Sequence, residues 1–70
     1  MTKTMFRLLL LQIQGLTVPR MSPGVIATRA QQVNKDIDIN DVRNWISGRA
    51  FPPFADRTRI IEVLEKETRR

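Results

Sequence analysis

Ile39-Asn40-Asp41-Val42-Arg43-Asn44-Trp45-Ile46-Ser47-Gly48, followed by Arg49-Ala50-Phe51-Pro52-Pro53, is the most informative stretch of this chain. Laid out at about 100° per residue, Ile39, Val42, Trp45 and Ile46 collect on one side of a helix. Asn40, Arg43, Asn44 and Ser47 collect on the other. Asn40 is expected to cap the helix, which then spans 40–47, and Gly48 is expected to stop it. The polar side consists of groups that hydrogen-bond base edges in a DNA major groove, arginine to guanine and asparagine to adenine. An ordinary solvated helix surface has the same composition, so periodicity alone leaves both readings open.

Working outward, Pro52 and Pro53 forbid helix and force an extended connection. A fourth helix is expected over 54–68, with Ile60, Ile61, Val63 and Leu64 as its apolar face. Glu62 with Lys66 and Glu65 with Arg69 are favourably ordered pairs one turn apart, and Arg69 and Arg70 suit the C-terminal end of the dipole. Upstream, Asn34-Lys35-Asp36 reads as a turn. Ser22-Pro23 reads as a helix start, because the serine hydroxyl accepts from a free backbone N–H and proline gives up a donor that the first turn does not use. That second helix is expected over 23–34, with Ile26, Ala30 and Val33 on one face. A first helix is expected over 4–14, stopped by Gly15. Its four successive leucines spread around the whole wheel, so Leu8, Leu10 and Leu11 cannot all face one small core. They are expected at the interface of a homodimer.

Length and composition narrow the functional classes. Seventy residues support a single domain spanning 1–70. With no cysteine and no histidine the chain has no disulfide, no Cys/His zinc site, and no thiol or imidazole catalyst. No nucleophile, base and orienting group can be assembled, so neither an enzyme nor a cofactor, metal or small-molecule substrate is expected. The net charge is +5 and unevenly placed: residues 1–30 carry Lys3, Arg7, Arg20 and Arg29 without a single acid. Nine of the twelve bases are arginine, whose planar fork suits phosphates and base edges. The apolar run from Phe6 to Leu11 is too short for a membrane span of about 20 residues and lacks a following cleavage site. A cytoplasmic protein without membrane contact is therefore expected.

The stretch from Ile37 through Val42, Trp45, Gly48, Arg49 and Pro52, with the Ile/Leu-rich helix after it, resembles the recognition half of the phage repressor and Cro-like helix-turn-helix family. The resemblance implies an all-α, lambda-repressor-like bundle of about four helices and a repressor-type transcription regulator that binds double-stranded DNA as a homodimer on a two-fold symmetric operator. By the same resemblance Asn40, Asp41, Arg43 and Asn44 fall where the family reads bases. Ser22, Arg29, Ser47 and Arg49 are the expected phosphate contacts, and Val42 and Trp45 the expected core. Two features depart from the pattern. The segment from Asn34 to Asp38 is longer than the usual tight turn and carries no glycine, and Asp38 and Asp41 place carboxylates where phosphates repel them. Two other functions fit the same features. One is an excisionase-like architectural DNA-binding protein. The other is a small inhibitor that binds a host transcription regulator through its leucine-rich first helix.

Overall fold

A computed structural model describes residues 1–17 and 19–68, without the side chains of residues 67 and 68. The described residues are all-α and form four helices: α1 (Lys3–Leu16), α2 (Pro23–Ala30), α3 (Ile39–Ser47) and α4 (Phe54–Thr68). The expected Glu65–Arg69 pair and the expected dipole role of Arg69 and Arg70 lie outside the described residues. None of the described helices is long and apolar enough to cross a membrane. α1 and α2 each pack on both α3 and α4. The radius of gyration is 10.7 Å, close to the ~11 Å expected of a closed domain this long.

Each helix begins where side-chain chemistry satisfies its first amides. Thr2 caps α1, its Oγ1 accepting from the Met5 N–H at 3.1 Å. Ser22 caps α2, its Oγ accepting from the Val25 N–H at 3.3 Å, with Pro23 in the first turn as expected. α3 starts earlier than its sequence suggests: the cap is Asp38 rather than Asn40. The Asp41 N–H donates to Asp38 Oδ1 and the Asp38 N–H donates to Asp41 Oδ2, both at 3.0 Å. This reciprocal box needs an acceptor three residues after the cap. Asp38 has Asp41 there, whereas Asn40 would have Arg43. At the other end Gly48 adopts φ 82°, ψ 11°, a left-handed conformation that costs glycine little.

Two helix ends differ from the sequence reading. α1 runs past Gly15 to Leu16 and ends at the extended Thr17, whose hydroxyl donates to the Gln14 carbonyl and accepts from the Met21 N–H. A solvated glycine only weakens a helix; here side-chain capping two residues later ends it. α2 stops at Ala30 instead of Asn34. From Gln32 the hydrogen bonds tighten, with Gln32 N–H to Arg29 O and Val33 N–H to Ala30 O. Asn34 then folds back on the Asp36 N–H, and Gln31 Nε2 donates to the Ile37 carbonyl. Ile37 is buried, so one apolar anchor draws the eight-residue connection 31–38 into the core. Val33 stays half-buried because a tightened turn still carries it toward the core.

The core joins Phe6, Leu10 and Ile13 of α1 to Ile26, Ala27 and Ala30 of α2, to Val42 and Trp45 of α3, and to Ile60, Ile61 and Leu64 of α4. The Phe6 ring stands edge-on to Trp45, centroids 5.5 Å apart and planes at 84°. Gln14 is the buried polar residue of the core region, and its Nε2 donates to the Met21 carbonyl at 2.8 Å. Leu10 is fully buried. It therefore cannot contact a second copy, and its assignment to a dimer interface is corrected. Leu8, on the opposite side of α1, remains 60% exposed, and Leu11 is half-buried.

Candidate nucleic-acid interface

Burial of Val42 and Trp45 fixes which side of α3 faces outward. Asn40, Arg43 and Ser47 are exposed along that side, and Asn44 is half-buried at its edge. Ile39, expected on the apolar side, is instead 39% exposed beside them. Asp41 is half-buried, and its Oδ2 is taken up by the Asp38 N–H. Its placement is explained by capping. The Ser47 hydroxyl donates to the Asn44 carbonyl at 3.1 Å, and the Arg49 N–H donates to the same oxygen at 2.9 Å. Arg49 thus leaves the helix immediately after the glycine cap with its side chain exposed.

The two ends of α3 are held by different elements. At its start, a Cβ placed on Gly24 would lie 3.8 Å from Ile39 Cδ1, so the first turns of α2 and α3 are neighbours. At its finish, Arg7 of α1 donates from Nε to the Ile46 carbonyl at 2.9 Å and lies over Gly48. A cation at a helix C-terminus also opposes the negative end of the dipole, while Asp38 and Asp41 complement the positive end. The sequence reading did not single out Arg7 for this role. The carbonyls left open at the end of α3 signal the need for a donor, but no local pattern tells which of nine arginines supplies it.

The phosphate candidates fall into two groups. Ser22 and Arg29 line one open hollow of about 440 Å³ that runs along α2 from its cap to its last turn, together with Arg20 and Val25. Ser47 and Arg49 lie at the far end of α3. Cations therefore lie in two places: Arg20 and Arg29 along that hollow, and Arg7 and Arg49 at the C-terminal end of α3. Arg20 and Arg7 extend the sequence-derived set.

Replacing Asp38 by alanine is expected to remove about 0.5 to 2 kcal/mol of stability, because one amide of α3 loses its acceptor. For a domain of this size each kcal/mol corresponds to about 4 to 8 °C in the melting midpoint. Asp38→Asn keeps an acceptor and should melt close to the parent. Thermal unfolding followed by circular dichroism checks both; an unchanged midpoint in Asp38→Ala would show that the box contributes nothing to stability.

Neither a family model, nor a curated protein, nor a solved structure matches this chain.

Proposed function

We propose that this chain is a sequence-specific, double-stranded-DNA-binding regulator of transcription, a helix-turn-helix protein of the phage repressor and Cro-like kind. The observation that carries the reading is the outward side of α3: Asn40 and Arg43 stand exposed on a helix whose other side, Val42 and Trp45, is locked into the core. Base reading needs donors and acceptors held in fixed register, and this arrangement supports it. Arg7 and Arg49 at the C-terminal end of α3, with Arg20 and Arg29 along α2, supply the phosphate contacts that position such a helix and release counterions. The reading is non-enzymatic and requires neither metal nor cofactor, and it belongs in the cytoplasm, where a phage or mobile-element regulator meets its operator.

Assembly follows from α1. Met5, Leu8 and Leu16 lie three and eleven residues apart on one face, and all three are at least half exposed. This stripe replaces Leu10 as the dimer surface, with Leu11 at its border. Two copies related by a two-fold axis would present their α3 helices about 34 to 36 Å apart, one turn of DNA. Leu8→Glu places two like charges across that axis without touching the core. It is expected to abolish dimers at micromolar concentration while leaving helix content intact, as read by sedimentation and circular dichroism. A parent protein that sediments as a monomer alone and on its DNA would refute the dimer.

Selection of bound sequences from random duplex DNA tests the function itself. Enrichment of a pair of inverted half-sites is expected, with centres about 10 base pairs apart. Failure to enrich any sequence, even at low salt, would overturn the reading. The exposed Met5, Leu8 and Leu16 stripe favours one second reading, an inhibitor that docks on a host transcription regulator through α1. That reading expects no DNA sequence preference and a heterologous partner in place of self-association.

A further inference from the structure

Resting on the DNA-binding reading above, we infer that Arg7 is a positioning residue for base recognition: its hydrogen bond to the end of α3 sets the pose from which Asn40 and Arg43 read sequence. Val42 and Trp45 attach the middle of α3 to the core. Apolar burial is non-directional, so a helix of nine residues, about 14 Å long, can pivot on it. The capping box ties the first turn only to its own residues, Asp38 and Asp41. At the last turn the Trp45 and Asn44 carbonyls accept from the Gly48 and Arg49 amides, within the same stretch of chain. The Ile46 carbonyl accepts instead from Arg7 Nε at 2.9 Å, 39 residues away in sequence. That bond is directional, and it comes from another helix.

Arg7 directly follows Phe6, whose ring stands edge-on to Trp45. α1 thus grips α3 at two successive residues, one inside the core and one at its exposed rim. Gly48 leaves room for the second grip: a Cβ there would stand 3.6 Å from Arg7 Nε and 3.8 and 3.9 Å from its Cδ and Cζ. A longer side chain at that position competes with the guanidinium for space. Nε serves α3, while the two terminal nitrogens bond no other described residue. One guanidinium can therefore link a backbone phosphate, which sets register, to the helix that reads bases. Base contacts tolerate little error in that pose, because hydrogen bonds weaken steeply as they bend.

Two uncharged variants isolate the bond. Glutamine carries Nε2 at the place along its side chain where arginine carries Nε, so Arg7→Gln keeps a donor for Ile46, whereas Arg7→Met puts a methyl there. Both lose the charge and the terminal nitrogens, so their salt dependence and their affinity for unrelated DNA are expected to match. The preference for the site selected from random duplex DNA over unrelated DNA is expected to stay near the parent's in Arg7→Gln. In Arg7→Met it is expected to fall about fivefold, the effect of one net hydrogen bond. Without DNA, the Gly48 and Arg49 amides that close the end of α3 are expected to exchange hydrogen about fivefold faster in Arg7→Met than in Arg7→Gln. Equal sequence preference in the two variants would overturn the inference, as would equal exchange of those amides. So would an Arg7→Met protein unfolded at the assay temperature, since the bond would then support the whole fold rather than the pose of one helix. Failure to select any sequence is a separate result, which overturns the DNA-binding reading and this inference with it, whatever the exchange rates.

Discussion

Trp45→Ala is expected to remove about 3 to 5 kcal/mol of folding stability. At roughly 0.05 to 0.15 kcal/mol per residue, a chain of this length holds only about 3.5 to 10 kcal/mol in total. The loss is large because Trp45 is 3% exposed at the centre of the core, where α1 and α3 meet. Its indole is the edge-to-face partner of Phe6, and Phe6 in turn meets the Phe51 ring with centroids 6.4 Å apart. Removing the indole therefore leaves both a cavity and a broken aromatic pair, the latter worth about 0.5 to 1.5 kcal/mol beyond area burial. Helix content and DNA binding should be lost together near physiological temperature. Trp45→Phe keeps a ring opposite Phe6 and should lose distinctly less. Urea unfolding of the two variants measures the difference; an alanine variant within about 1 kcal/mol of the parent would mean that α3 is not anchored through this residue.

Alanine at both Asn40 and Arg43 is expected to reduce affinity for the selected site by about 1 to 3 kcal/mol per residue while the fold is retained. Both side chains are exposed on α3, and neither makes a core contact. Sequence preference should relax at the bases they face, whereas binding to unrelated DNA should change little. Arg49→Ala provides the contrast. Lying beyond the glycine cap, it should weaken binding to all sequences alike and make the slope of log affinity against log salt shallower by about one unit. Fluorescence titrations at several salt concentrations separate the two behaviours. Unchanged specificity in the double variant would remove α3 from base recognition.

Much of the fold was legible because its signals are local. Ser22 acts through a hydroxyl bonded three residues on, and Pro23, Gly48 and the proline pair at 52 and 53 through their own backbones, so they place helix boundaries without reference to anything distant. The inward side of α3 was equally readable at Val42 and Trp45, since only burial explains such residues at helical spacing. The cap of α3 was also present in the sequence, as Asp38 and Asp41 three residues apart, but Asn40 offered a competing cap of similar intrinsic strength. The reciprocal bond to Asp41 separates the two.

The charge distribution, the absence of cysteine and histidine, the four helical segments and the amphipathic α3 are determined by the sequence itself, because composition and short-range periodicity carry them. Which leucine of α1 enters the core was decided only by tertiary packing. Leu8, Leu10 and Leu11 are chemically identical, and the directions from which α3 and α4 approach bury Leu10 while leaving Leu8 in solvent. The early end of α2 was decided the same way, by Ile37 drawing its loop inward against the helical preference of residues 31–34. Ile39 reaches the surface for the same kind of reason. Val42 and Trp45 take the inward positions of a nine-residue helix, and an isoleucine one turn earlier lies at the margin of that contact, beside the polar side chains of the outer face.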